Sequence, residues 1–226
     1  MKNNILFAVS TPFEIAPLLS FLNKEGKLIA ENIYDWNENI ITICITGIGI
    51  FNMSYHCGYL WGSGYKPQLA INTGLCGSFE ADMELTTVVN IYKDTFADVG
   101  VTERDGSFTS IFDLDLIKPD EAPFKNGWLE NDSNALQFLP HKTAITVNKT
   151  SGNQDQIDEW VKKYHPQTES MEGAAFAYSC MKAGINYLQI RGISNYVQPR
   201  NKFNWKIDQT IDKLNSVLIE LLKSMP

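Results

Sequence analysis

Six short apolar runs recur along the chain, at Ile5–Val9, Ile40–Ile45, Gln68–Ile71, Thr87–Ile91, Ala144–Val147 and Tyr187–Ile190, and most lack the polar alternation of a strand with one wet face. Strands of this kind are buried on both faces, as in parallel sheets covered by helices on each side. Helical stretches fall between several of them, at Glu14–Lys24, Asn52–Trp61, Gln154–Tyr164 and Glu172–Lys182. The alternation predicts an α/β fold with a mainly parallel sheet. Near the end, Ile207, Ile211, Leu214, Leu218 and Leu221 repeat at spacings of four and three. That apolar stripe suits a helix covering a sheet face, and we assign it to core packing. The stretch from Asp94 to Pro140 is the least regular, with Phe108, Phe112, Trp128 and Phe138 among many Asp, Asn and Pro residues. Its length without periodicity fits a lid or an interface.

At 226 residues with no Pro/Gly/Ser-rich linker, the chain is expected to form one domain over 1–226. The formal charge of −7 offers no footprint for a phosphate backbone, so nucleic acid is not an expected partner. The opening run Ile5-Leu6-Phe7-Ala8-Val9 stops at Thr11-Pro12, too short for a signal or a membrane span, which points to a cytoplasmic protein without membrane attachment. Cys44, Cys57, Cys76 and Cys180 form no CxxC, and His56, His141 and His165 show no ligand spacing. The expectation is reduced, buried thiols, with no metal and no cofactor.

Two segments carry the chemistry. Thr168-Glu169-Ser170-Met171-Glu172-Gly173-Ala174-Ala175 places a carboxylate at the head of a small-residue helix, and Arg191-Gly192-Ile193-Ser194-Asn195 places a carboxamide just past a buried strand. Singly, Glu172 is explained as a first-turn acid favoured by the helix dipole and Asn195 as a cap. Jointly, a carboxylate suits a sugar diol and a carboxamide can read a purine edge, which suggests a nucleoside pocket. Thr11-Pro12-Phe13-Glu14 satisfies a capping box, yet it also lies at the carboxyl end of a parallel strand, where open α/β sheets gather ligands. Thr46-Gly47-Ile48-Gly49-Ile50-Phe51-Asn52 fails as a dinucleotide motif, because Asn52 takes the third glycine position and Gly64 to Leu69 supply no acid. A tight turn explains it better. Asn72-Thr73-Gly74-Leu75-Cys76-Gly77-Ser78 follows a strand as either a ligand-approaching loop or an ordinary turn.

In order, Phe13-Glu14, Thr46-Gly47-Ile48-Gly49, Ile71-Asn72-Thr73-Gly74, Ser170-Met171-Glu172-Gly173-Ala174 and Arg191-Gly192-Ile193-Ser194-Asn195 resemble the purine nucleoside phosphorylase and nucleosidase family across nearly the whole chain. The resemblance is nearest to the hydrolytic branch, which includes methylthioadenosine/adenosylhomocysteine nucleosidases and futalosine hydrolases, and Asn195-Tyr196-Val197 with Pro199-Arg200 look most like the latter. It implies a three-layer α/β/α sandwich around a mixed, partly barrel-like sheet, and a homodimer. It also implies roles: Glu172 would accept from the 2′- and 3′-hydroxyls, Met171 would pack on the sugar, and Glu14 would deprotonate the attacking water. Asn195 would meet N7–H and the 6-oxo group of the base, where adenine-directed members carry an acid. Cys76, Gly77, Asn153, Gln154 and Arg200 complete the expected substrate contacts, with Phe108, Phe112 and Arg200 as candidates for the 5′ substituent. Two departures are visible: Leu75 stands where the nucleosidases usually carry Ser, and Ser151-Gly152-Asn153-Gln154 lacks their base-stacking aromatic. The expected substrate is a 6-oxopurine nucleoside, cleaved to a free base.

Overall fold

The computed structural model describes residues 2–131, 136–199 and 202–225. Twelve strands and five α-helices alternate along these residues: β1 Asn3–Val9, α1 Pro12–Glu25, β2 Lys27–Ala30, β3 Ile33–Trp36, β4 Asn39–Ile45, α2 Ile50–Gly62, β5 Leu69–Ser78, β6 Val88–Phe96, β7 Gly100–Thr102, β8 Phe108–Ser110, β9 Leu129–Glu130, β10 His141–Thr146, α3 Gln154–Tyr164, β11 Thr168–Ser170, α4 Gly173–Ala183, β12 Tyr187–Tyr196 and α5 Ile207–Ser224. The main sheet runs β11-β10-β6-β12-β5-β1-β4-β3-β2, and an extra pairing of β11 with β5 closes its first five strands into a ring. The sheet is therefore partly barrel and partly open flange, as the family resemblance implies. Its middle is parallel, with β4, β1, β5 and β12 running together, while β12–β6, β11–β5 and the β2-β3-β4 meander are antiparallel.

Helices cover both faces for the reason the apolar runs announce. Along β1, Ile5, Phe7 and Val9 pack with Leu18, Leu22, Leu214 and Leu218 of α1 and α5, whereas Leu6 and Ala8 pack with Met53, Cys57, Phe176 and Cys180 of α2 and α4. Side chains alternate across a strand, so a strand apolar at every position must have a helical layer on each side. The closing stripe covers the first face as expected, except that its leading member, Ile207, is only half-buried and borders the cavity described below.

Three strands run well past their apolar cores. β5 continues through Asn72-Thr73-Gly74-Leu75-Cys76-Gly77-Ser78, a segment whose composition suggests a loop. It stays a strand because β12 pairs with it from Ala70 to Ser78, and because the buried Asn72 amide is satisfied by donating to the Ala8 carbonyl at 3.0 Å and accepting from Arg191. β12 and β6 likewise extend to Tyr196 and Phe96. The β2 and β3 hairpin has no signal in the apolar pattern, since β2 is exposed at every residue. Among the described residues, no helix is long and apolar enough to cross a membrane.

One detail ties α5 to the head of α1. Pro17 lies inside α1, where its ring and missing N–H disturb the helical ladder. The fully buried Asn215 of α5 bridges the next rung, donating Nδ2 to the Glu14 carbonyl at 2.9 Å and accepting at Oδ1 from the Leu18 N–H at 3.1 Å. The same Nδ2 donates to Ile211 O at 2.8 Å. Asn215→Leu would strand those groups without partners. Chemical denaturation should show it less stable than the parent by about 1–3 kcal/mol, the cost of unsatisfied buried groups; an unchanged midpoint would refute the bridge.

Candidate active site

A cavity of about 340 Å³ opens where β1, β4, β5 and β12 end, the carboxyl edge at which parallel sheets collect ligands. Its walls include Glu14, Cys76, Gly77, Met171, Glu172 and Asn195, so residues spread over most of the chain converge there. The two glutamates face one space.

Glu14 serves its helix and the cavity at once. Its Oε2 accepts from Thr11 N at 3.1 Å and Thr11 Oγ1 at 2.7 Å, completing the capping box. Its Oε1 turns away and accepts from the Leu75 N–H at 3.1 Å. Leu75, which lacks a hydroxyl, thus contributes through its main chain. Behind this oxygen lies Gly74, with φ of 151°; a Cβ there would sit 2.9 Å from Glu14 Oε1 and 3.0 Å from Arg191 Nη1. Carboxylate and guanidinium both border the space that a side chain at Gly74 would fill.

Glu172 is the N-cap of α4, yet its side chain makes no capping bond. It reaches across to the Gly49 N–H, accepting at Oε1 over 2.8 Å. The Thr46-Gly47-Ile48-Gly49 turn, with φ of 85° at Gly47 and 96° at Gly49, therefore holds the carboxylate rather than serving packing alone. Burial raises the Glu172 pKa; Arg191, the Gly49 N–H and the Ser10 hydroxyl oppose that rise, and Glu14's charge adds to it. The two carboxylates thus interact electrostatically.

Asn195 reaches the cavity through a β-bulge. Ile193 pairs with Cys76 of β5, but Asn195 pairs with Gly77, so Ser194 is the extra residue. Adjacent positions on β5 face opposite sides, and the bulge consequently turns Asn195 away from the side Ile193 takes. Its Nδ2 donates to Tyr196 O at 3.1 Å, an acceptor only, which fixes the amide orientation; Oδ1 then accepts from Ser194 Oγ at 2.8 Å. One N–H and one lone pair remain for a ligand. Gly77 is required beneath it, since a Cβ there would lie 3.0 Å from Asn195 Nδ2 and 2.8 Å from Val197 Cγ2.

The remaining expected residues divide. Met171 is half-buried in the wall, and Cys76 lines it with a thiol that burial pushes up to about 12, leaving it uncharged. Asn153 and Gln154 do not line the cavity: Asn153 caps α3 by accepting from Gln156 N at 2.8 Å, and Gln154 donates to Asp158 at 2.8 Å, both in the open. Thr150 and Ser151 form that wall instead. Ser151 is held there by Glu169, which accepts from its N–H at 2.9 Å and from its hydroxyl. Phe108 packs edge-on to Trp160 and Phe112 to Phe124, away from the cavity, whose apolar side is built from Phe13, Ile48, Val197, Trp205 and Ile207. Arg200 lies outside the described residues. Sequence reasoning passed over Arg191, Ser10 and Glu169 as site residues, although two of them sit in the quoted motifs. Among the described residues, no group of three or more His, Cys, Asp or Glu side chains could hold a metal.

Gly74→Ala should wedge a methyl between Glu14 and Arg191. Turnover is expected to fall by roughly tenfold to a hundredfold with the fold intact by circular dichroism, the scale for a group displaced at a reacting centre; full activity would show that the position of Glu14 does not depend on the bare Gly74.

The chain is similar to known proteins in both sequence and fold. The chain is 23% identical over 179 residues to the futalosine hydrolase of Thermus thermophilus, covering 78% of this chain and 79% of the relative. It is 24% identical over 197 residues to the 5′-methylthioadenosine/S-adenosylhomocysteine nucleosidase of Listeria welshimeri, covering 82% of each. Among solved structures, a Helicobacter pylori nucleosidase mutant with 5′-methylthioadenosine in its active site superposes with a TM-score of 0.80 at 15% identity over 100% of both chains. A futalosine hydrolase mutant of the same species gives 0.77 at 14% identity, covering 99% of this chain and 100% of that one. The model of the phosphorylase superfamily matches residues 5–225, and the chain belongs to that superfamily.

Proposed function

We propose that the protein hydrolyses the N-glycosidic bond of a 6-oxopurine nucleoside, with futalosine as the substrate and hypoxanthine as the leaving base, as a step of menaquinone biosynthesis. One observation carries the hydrolytic reading: Glu14, Glu169 and Glu172 line the cavity, and among the described residues no Lys or Arg does. A phosphate dianion needs clustered cations or main-chain donors, and this wall would repel it. Water meets no such obstacle.

In this reading Glu172, anchored by Gly49, accepts from the ribose diol, and Met171 packs on the sugar. Glu14 takes a proton from water as the water oxygen bonds to C1′. The C1′–N9 bonding pair leaves on the purine, and N7 gains its proton from solvent, since a carboxamide is no acid. The free lone pair and N–H of Asn195 match N7–H and the 6-oxo group. A 6-amino group would set donor against donor, a mismatch of about 1–3 kcal/mol. The names of the relatives support cleavage of a nucleoside and divide between the two substrates.

We infer a homodimer from the exposed face of α2. Phe51, Tyr55 and Tyr59 follow one another at helical spacing, 71%, 67% and 65% exposed, and lead to Ile48 at the cavity wall. An aromatic surface of this kind is what a second copy would cover.

The purified protein, given futalosine, inosine and methylthioadenosine in turn with and without phosphate, should release hypoxanthine from futalosine in phosphate-free buffer. A strict phosphate requirement would falsify the hydrolytic reading, and preferential release of adenine would replace futalosine with methylthioadenosine. Glu14→Gln should bind nucleoside but lose turnover; substantial residual turnover would remove Glu14 as the base. In that same variant, nucleoside affinity should weaken on acidification as Glu172 gains a proton, because the neutral carboxyl loses its acceptor strength. Burial places this loss above the ordinary glutamate value of 4.5. A titration flat down to that pH would count against the ribose grip.

A further inference from the structure

A helix begins with N–H groups that its own ladder cannot satisfy, and the N-cap side chain ordinarily accepts from one of them. At α4 the N-cap is Glu172, whose carboxylate has turned to Gly49 instead. The neglected donors are served from elsewhere. The Ala174 N–H donates to Thr146 Oγ1 of β10 at 2.8 Å, and the Gly173 N–H donates to Ser170 Oγ at 3.3 Å. Thr146 is fully buried, and the acceptor it supplies comes from 28 residues upstream.

A hydroxyl accepts usefully only when its proton points elsewhere. Thr146 has a place to send it: Oγ1 lies 3.0 Å and 3.2 Å from the two carboxylate oxygens of Asp94, itself 0% exposed on β6. The relay runs from amide to hydroxyl to carboxylate, and it ends in an acid beside the positive end of α4. Gly173 is what allows this approach. A Cβ on it would fall 2.2 Å from Asp94 Oδ2 and 2.5 Å from Gln189 Oε1, so any larger residue would lift the first turn off the carboxylate.

We propose that Thr146, with its hydroxyl oriented by Asp94, caps α4 in place of Glu172 and so acts as a positioning residue that leaves Glu172 free to hold the ribose hydroxyls. This rests on the reading that Glu172 grips ribose. Without the borrowed cap, the buried Ala174 N–H would draw on the N-cap side chain, the acceptor a helix start ordinarily uses, and a Glu172 carboxylate returned to its helix would leave Gly49 and the cavity.

The test is the preference for ribose over 2′-deoxyribose, which a general loss of stability would not move. Affinities of inosine and 2′-deoxyinosine, and of methylthioadenosine and its 2′-deoxy counterpart, are measured by calorimetry in the Glu14→Gln background. Thr146→Val should lose about tenfold of that preference, approaching Glu172→Ala, and Thr146→Ser should restore it. Preference kept by Thr146→Val but lost by Glu172→Ala overturns the inference and leaves the Glu172 reading standing. Preference kept by Glu172→Ala overturns both. If Thr146→Val does not fold, the pair at Asp94 decides: Asp94→Asn still accepts the Thr146 proton and should keep the preference, and Asp94→Ala should lose it. Retention in Asp94→Ala overturns the relay.

Discussion

A permanently charged guanidinium sealed from water is the constraint around which this active site is built. Arg191 is 1% exposed and cannot shed its proton, so its surroundings must answer its charge. They do so from several directions. Asn72 on β5 accepts from it, Glu14 shares the space over Gly74 with it, and its field lowers the pKa of both Asp94 and Glu172 against the rise that burial imposes. Strands β5, β6 and β12 and the heads of α1 and α4 are thereby referred to one point. Removing the positive charge would take from Asp94 and Glu172 the cation that offsets their burial.

The same economy governs how each acid is supported. Glu14 divides its two oxygens between its helix and the Leu75 N–H, so a capping box doubles as a bracket. Glu172 gives up its capping role altogether, and a hydroxyl from a distant strand takes it over. Glu169 holds Ser151 in the wall, so the chain between β10 and α3 contributes without supplying an aromatic platform. At Glu172, another group has satisfied the local need that its carboxylate would otherwise serve.

Much of this architecture was legible in the chain. The double-sided burial of β1 and the stripe of α5 follow directly from uninterrupted apolar runs and a four-three spacing. Glu14, Met171, Glu172, Cys76, Gly77 and Asn195 do gather in one cavity, a grouping indicated by ordered motifs rather than by periodicity. The polar extension of β5 was not legible, because Asn72 and Gly74 have poor strand propensity alone and the segment becomes strand only when β12 and Arg191 satisfy it. The placement of Asn153 and Gln154 was hidden for a similar reason: a helix start engages the Asn153 Oδ1 with the Gln156 N–H and carries both residues off the wall. The apolar side of the cavity comes from Phe13, Ile48 and Trp205, which belong to turns and helix heads where no periodic signal exists.

The irregular residue at Ser194 has a bearing on how such enzymes diversify. With side chains changing sides at every step of a strand, one extra residue decides whether position 195 looks into the pocket or into the packed interior. Had the strand run on without the bulge, Ser194 would stand opposite Gly77 and Asn195 would share the side of Ile193. Which of two neighbouring side chains meets a ligand is therefore set by the local register of one strand, apart from the elements that carry Glu14 and Glu172.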